Sequence, residues 1–534
     1  MSARGYIGLV LHAHLPFVRH PEHERFLEED WLYEAISECY LPLLDLLERL
    51  EDGRVPGCIT LSLTPTLLSM LADELLMRRY LAHLERLLEL SALEVRRTRT
   101  DGRFHPVARM YASRLKRTRR LFLERYRGDL LAGFRRLEGC GRVALITSAA
   151  THAYLPLLAH RPLAVAAQIR TALQVHRRLL GRAPAGIWLP ECGYHPAVEP
   201  VLRECALRYF CLDAHGVLHA SPAPRFGVYA PVYGPQGVAA FGRDLHSSRE
   251  VWSAEVGFPG DPLYREFYRD IGFDLDVEYV RPWMQATGAR KATGIKYHRI
   301  TGPGQDKQPY QPALAARRAA EHAAQFAQAR AAQVEELARW MPGRRPLVLA
   351  PYDAELFGHW WFEGPLFLER VLREVAARPG ALAALSPDTY LDEQPSNQQV
   401  ELHLSSWGDR GYSEMWLNES NDWIYNHLDH ASAAMLALAA DYPAAEGLPR
   451  RALDQAAREL MLAQASDWAF IMRTGTSVGY AVRRTVEHLE AFSSLAAMLR
   501  GGEIAPAELA RLEQSHNLFP GMDYRCYRPD WRPG

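Results

Sequence analysis

Two acidic residues sit where chemistry could be done. Glu191 stands in Trp188-Leu189-Pro190-Glu191-Cys192-Gly193-Tyr194, and Asp353 in Pro351-Tyr352-Asp353-Ala354-Glu355-Leu356-Phe357-Gly358-His359-Trp360-Trp361. Each follows a short apolar run that reads as a buried strand, and each is followed by aromatic residues. Read singly, either acid could equally be a loop residue or a helix cap. As a pair ringed by aromatics they point to glycosidic-bond chemistry, in which one carboxylate attacks an anomeric carbon and the other protonates the leaving oxygen. Glu355, two residues after Asp353, is a rival acid that pattern alone does not separate from it. Cys192 adjoins Glu191, but a cysteine nucleophile would want a dedicated base.

Other polar and aromatic residues cluster near the same strand ends. His12 and His14 close the first strand, and a spacing of two puts both rings on one face. Three readings stay open: hydrogen bonding to sugar hydroxyls, a structural role, or the H-x-H start of a metal-dependent hydrolase. That last class often needs a carboxylated lysine on a middle strand, and no lysine lies near strands three to five. His152 follows the third strand, and Asp213 ends the fifth, either as a cap or as a group orienting a histidine or a sugar hydroxyl. Trp407 and Trp416 lie in a polar, glycine-containing stretch and Trp468 follows Ser466-Asp467, so these three are sugar-stacking candidates. The Gly/Pro-rich run from Phe226 to Arg243 suggests a lid carrying Tyr233.

The elements that must position these residues show as short apolar runs alternating with helical patterns. Strands are expected at Tyr6–Leu11, Cys58–Leu63, Val143–Thr147, Gly186–Leu189, Tyr209–Asp213, Val238–Phe241 and Leu347–Pro351. Alternation of this kind implies parallel strands with right-handed crossovers. At 534 residues a β/α barrel is favoured over an open sheet, with its site at the C-terminal strand ends. Residues 1–74 and 139–400 are assigned to the catalytic barrel, 75–138 to an inserted helical subdomain, and 401–534 to a C-terminal helical domain.

Composition narrows the class. The net charge of −1 argues against a nucleic-acid partner. Seven cysteines with no C-x-x-C pair suggest reduced thiols in the cytoplasm. The N-terminus has no signal-peptide core, and no apolar run is long enough to span a membrane.

The blocks His12-Ala13-His14-Leu15-Pro16, Trp188 to Tyr194, Tyr352 to Trp361 and Trp407 to Asn421 together resemble glycoside hydrolase family 57, over nearly the whole chain. Within that family the Glu-Cys after Trp-Leu-Pro, the Gly-His-Trp-Trp after the acid and Ser466-Asp467-Trp468 are similar to the 1,4-α-glucan branching group. The resemblance implies an incomplete (β/α)7 barrel, with Glu191 as nucleophile and Asp353 as general acid/base of a retaining mechanism. It implies His12, His14, His152, Asp213, Trp283, Trp407, Trp416 and Asp467 as subsite residues. Trp31, Tyr233, Arg243 and Trp468 complete the candidate substrate-binding set. No metal and no organic cofactor is expected. The expected partner is an α-glucan, acted on by a monomer that takes neither nucleic acid nor membrane. Family relatives also include α-amylases and 4-α-glucanotransferases, which the two acids do not distinguish. A metal-dependent hydrolase using His12 and His14 is the alternative from another class.

Overall fold

The computed structural model describes residues 3–253, 256–285, 287–302, 304 and 306–531. Its strands are Gly5–Ala13 (β1), Ile59–Leu63 (β2), Val143–Ile146 (β3), Gly186–Ile187 (β4), Tyr209–Leu212 (β5), Val232–Tyr233 (β6), Ala239–Gly242 (β7), Leu347–Asp353 (β8) and Leu382–Ala384 (β9). β1 lies between β2 and β8, all parallel, with β3 beside β2 and β9 pairing the start of β1. β4, β5 and β7 form a second parallel run. Two single links join the runs into a ring. Thr147 bridges Ile187 between β3 and β4, and the Asp244 amide donates to the Leu349 carbonyl at 2.9 Å between β7 and β8. Seven parallel strands thus form an incomplete (β/α)7 barrel whose seams are thinner than its ladders.

All nine residues of β1 are buried. A strand covered on both faces needs an unbroken apolar run, as Tyr6–Leu11 provides. Its register places His12 opposite Ser62 on one side and Asp353 on the other. Three polar side chains therefore reach the same C-terminal level of the barrel.

The chain leaves β2 into helices Glu74–Arg97, His105–Arg120 and Leu130–Gly139. Asp73 and Asp129 cap the first and third by accepting the amides of Leu76 and Ala132, each at 2.9 Å. Their apolar faces join the same hydrophobic cluster as β1. The stretch 245–311 between β7 and β8 has only short helical turns among its described residues. It docks on the first of these helices, where Tyr279 and Tyr297 donate to the buried Glu94 carboxylate at 2.7 and 2.6 Å. Beyond β9, the helices Trp423–Asp441, Gly447–Ala463, Ser466–Thr474, Val478–Gly501 and Pro506–Ser515 pack against the barrel's third crossover. There Gln168 donates to Gln464 at 2.9 Å and accepts the Thr151 amide at 3.1 Å.

The turn after β8 is fixed by one glycine. Gly358 has φ +120°, and a Cβ there would lie 1.9 Å from the Glu38 carbonyl oxygen. Backbone cannot retreat as a side chain can, so Gly358→Ala combines a strained dihedral with a clash. It is expected to cost about 3 kcal/mol or more, read as a lowered urea midpoint. A wild-type midpoint would show that the Glu38 segment yields freely.

Candidate active site

The site is built where β1, β3, β4 and β8 end and where the C-terminal region reaches back over them. Glu191 follows β4 with φ +61° and ψ 23°, left-handed for a residue with a side chain. His152, after β3, is also left-handed at φ +56°. Such conformations cost on the order of 1–3 kcal/mol and persist only where surroundings hold them. Here both carbonyls are gripped from the C-terminal side. The Trp407 amide donates to Glu191 O at 2.9 Å, and the Ser466 amide to His152 O at 3.2 Å.

The same two residues hold the side chain of Glu191. Trp407 Nε1 donates to Oε2 at 2.9 Å and Ser466 Oγ to Oε1 at 3.1 Å. Ser466 Oγ also lies 2.9 Å from His152 Nδ1. Burial pushes the Glu191 carboxyl up to about 7, against the hydrogen bonds from Trp407 and Ser466. Asp353 is raised well above the usual carboxylate range, first by burial and then by the charges of Glu355 and Glu191, with Arg243 opposing. Among the described residues no protein donor engages the Asp353 carboxyl. Burial raises both acids, but only Glu191 has donors that favour its charged form, a difference of surroundings that suits one acid to ionise and the other to carry a proton.

Glu355 is committed elsewhere. Its Oε1 accepts from Tyr40 Oη at 2.6 Å and from the His14 amide at 3.2 Å. It ties β1 to the loop after β8, which separates it from Asp353 by role. Burial raises the Cys192 thiol well above its ordinary value, which disfavours the thiolate a nucleophile would need.

The three histidines come together. His12 Nε2 meets His152 Nε2 at 2.9 Å, and the His14 and His152 rings stack at 3.9 Å. His12 also lies flat on Trp188, 4.6 Å between centroids. Burial and neighbouring imidazoles hold His12 and His152 well below the ordinary histidine range, hence neutral. His14 goes the other way. Burial alone would lower it, but the Asp467 carboxylate at 2.9 Å, with the charges of Glu191 and Glu355, raises it on balance. His14, His152 and Asp467 bring possible ligand atoms within 4.8 Å of one another. Those donors are engaged with one another, with Thr64 and with Ser466, an arrangement that fits a hydrogen-bonded sugar bowl better than a metal cage.

Asp213 caps Ala214 at 2.6 Å and pairs with Arg243 at 2.7 Å. Arg243 in turn lies over Trp407, 5.9 Å from the ring centroid. Trp31 is half-buried and packs edge-on to Tyr480 at 5.9 Å.

Four expected sugar contacts are placed otherwise. Trp416 is buried and stacked on Tyr154 at 4.8 Å. Trp468 is fully buried and donates to Leu462 O at 2.8 Å. Both belong to one core cluster: the loop carrying Trp416 folds back onto the C-terminal helices, and Trp468 lies on the inner face of the helix Ser466–Thr474. Trp283 is buried with its indole N–H donated to Arg86 O at 2.8 Å, in the docking of 245–311 onto the inserted helices. Tyr233 belongs to β6, antiparallel to β7, and pairs with Ala239 at the N-terminal start of that strand. Its hydroxyl donates to Pro395 O at 2.9 Å. It therefore sits at the rim opposite the acids, and the Phe226–Arg243 run is a hairpin and a barrel strand rather than a lid.

Sequence reasoning missed Ser62, Thr64, Tyr40 and Ser466. The first two had a signal. Their spacing of two at the end of β2 matches that of His12 and His14 at the end of β1, and they accept or donate to those rings at 3.0 and 3.1 Å.

Residues 8–403 match the sequence profile of glycosyl hydrolase family 57. The chain belongs to this family. Residues 427–527 match a second profile, 1,4-alpha-glucan branching enzyme, C-terminal. A 1,4-alpha-glucan branching enzyme of Thermococcus kodakarensis is 35% identical, covering 97% of this chain and 77% of that protein. The solved GH57-type branching enzyme of Pyrococcus horikoshii superposes with a TM-score of 0.88 at 33% identity, covering 99% and 98% of the two chains. The structure described as a novel alpha-amylase from Thermotoga maritima superposes with a TM-score of 0.92 at 40% identity, over the whole of both chains.

In this family 57 protein burial makes Glu191 hard to ionise and the Trp407 indole opposes it. If Glu191 is the nucleophile, its carboxylate is the reactive form, so kcat/KM on amylose should fall as pH drops below about 7. Trp407→Phe removes a hydrogen bond that favours the charged form, so that limb should move to higher pH. An unmoved limb in the pH–rate profile would disprove the link.

Proposed function

We propose that the protein is a 1,4-α-glucan branching enzyme that cleaves an α-1,4 bond with retention and transfers the chain to a 6-hydroxyl. One observation carries the reading. The C-terminal region that matches the branching-enzyme profile also supplies Ser466 and Asp467 to the bowl, where they hold Glu191 and His14. Named branching enzymes similar over nearly the full chain support it.

In this reading Glu191 attacks the anomeric carbon while Asp353 gives its proton to the departing glycosidic oxygen. The glycosyl ester on Glu191 then meets a glucan 6-hydroxyl. Asp353 takes the hydroxyl proton as the new α-1,6 bond forms and the Glu191 carboxylate leaves. His12, His14, His152 and Asp467 offer hydrogen bonds to the sugar hydroxyls at the bond to be cut, and Trp407 offers a ring face. The same reading makes it a cytoplasmic monomer of glycogen biosynthesis that takes no nucleic acid. Seven free cysteines support the compartment. Among the described residues no helix is long and apolar enough to cross a membrane.

Hydrolysis is the second reading, favoured by the 40% identity to the structure described as an alpha-amylase. Incubation with amylose separates the two. New α-1,6 linkages counted by proton NMR should exceed new reducing ends for the branching enzyme, and reducing ends alone would make it an amylase. Glu191→Gln should lower turnover by about 10⁴-fold or more while amylose binding persists.

The ligand atoms of His14, His152 and Asp467 are expected to act as hydrogen-bonding groups. Exhaustive dialysis against a chelator should leave the amylose activity unchanged. Activity lost on chelation and restored by one added divalent ion would return the site to the metal-hydrolase class.

A further inference from the structure

Seven residues after Asp353, Trp360 stands 60% exposed on the same loop. Single exposed aromatics are ordinary. What sets this one apart is how firmly it is held. Its ring lies parallel to Phe267, at an angle of 1° and 5.4 Å between centroids. His359 stands edge-on to both rings, at 5.4 and 6.0 Å. The His359 imidazole is itself fixed by Glu38 at 2.6 Å. Behind Phe267, Lys296 Nζ lies 5.2 Å from the ring centroid and donates to the Phe267 carbonyl at 2.6 Å. Tyr268, 81% exposed, meets Phe267 edge-on at 5.2 Å.

The platform is tied to the bowl by one residue. The amides of His359 and Trp360 both donate to the Glu355 carbonyl at 3.3 Å. The carboxylate of the same Glu355 holds the His14 amide and Tyr40. Gly358, which admits no Cβ, locks the turn between them. Trp360 therefore keeps a set position relative to Asp353 and His14. A flat ring held in advance binds a sugar face without first losing rotamer freedom.

We propose that Trp360, backed by Phe267, is a stacking subsite for the α-1,4-glucan chain on the side where the leaving chain departs and the acceptor chain enters. This rests on the branching reading and deepens it. The assignment of side follows from chemistry. Asp353 protonates the leaving oxygen and later deprotonates the acceptor hydroxyl, and the Trp360 loop continues from Asp353. In this proposal a polymer leaving the bowl on that side runs across this surface.

The test uses the full chain with Trp360→Ala, Trp360→Phe and Trp340→Ala. Trp340, 76% exposed, ends the helix that precedes β8, next to the opposite rim, and serves as the control. Steady-state kinetics are measured on amylose and on a short maltooligosaccharide, with α-1,6 linkages counted per new reducing end. Trp360→Ala should raise KM for amylose about three- to tenfold more than KM for the short substrate. It should also lower the linkage count per reducing end. Trp360→Phe should recover most of both, and Trp340→Ala should match wild type. Wild-type KM values in Trp360→Ala, no recovery in Trp360→Phe, or an equal loss in Trp340→Ala would each overturn the subsite. If the wild-type protein makes no α-1,6 linkage, the branching reading fails by itself. The KM comparison then still decides whether Trp360 holds glucan.

Discussion

The site depends on a grip from two sides on one strained residue. Glu191 turns left-handed four residues past the end of a two-residue strand, a conformation unusual for a residue with a side chain. Trp407 holds it twice, with its amide on the carbonyl and its indole N–H on the carboxylate. Ser466 does the parallel work across the seam, with its amide on His152 and its hydroxyl on Glu191. Neither residue belongs to the barrel strands. The geometry of Glu191 is thus a property of the barrel and the C-terminal region together, and the barrel alone would leave Glu191 free to relax.

The electrostatics follow from the same contacts. Glu191 is held by neutral donors, an indole and a hydroxyl, so its charge is oriented without a fixed cation bonded to it. Burial then keeps the carboxylate basic. Among the described residues Asp353 has no such donor, and burial with the charges of Glu355 and Glu191 favours its protonated form. The imidazoles complete the pattern. Were His12, His14 and His152 all charged, they would repel one another at stacking distance. Burial leaves two of them neutral, and the one that gains a proton more readily is the one beside Asp467.

The strands and the acids at their ends were legible because they are local signals. All seven runs read from alternation are barrel strands, since buried parallel strands need continuous apolar sequence. The pair His12 and His14 was legible from a spacing of two. The tryptophans were not. Trp416 and Trp468 sit among polar neighbours and still end in the core, because their burial is set by helices far along the chain. Trp283 and the 245–311 stretch show no periodicity, and their place depends on the buried Glu94. Tyr233 misled for a related reason. A run of glycine and proline reads as a mobile cover, but two residues of β6 paired to β7 make it part of a hairpin, and which rim a hairpin decorates depends on strand pairing that no local pattern contains.

With Tyr233 at the far rim, the choice between water and glucan must be made by the groups that remain. Water is present at ~55 M, whereas well-positioned groups reach effective molarities of about 10⁵ M or more. Transfer therefore needs orientation of the acceptor more than exclusion of water. Orientation needs surfaces whose distance from Asp353 does not fluctuate. The loop after β8 meets that need through backbone. Its carbonyl at Glu355 is shared by two amides, its glycine at 358 leaves no slack against Glu38, and the Glu355 side chain reaches β1. Proton transfer and acceptor approach are thereby fixed by one rigid turn. In the proposed reaction, a change that loosens it away from Asp353 would disturb the partition between transfer and hydrolysis before it disturbed cleavage, because only transfer needs an oriented acceptor.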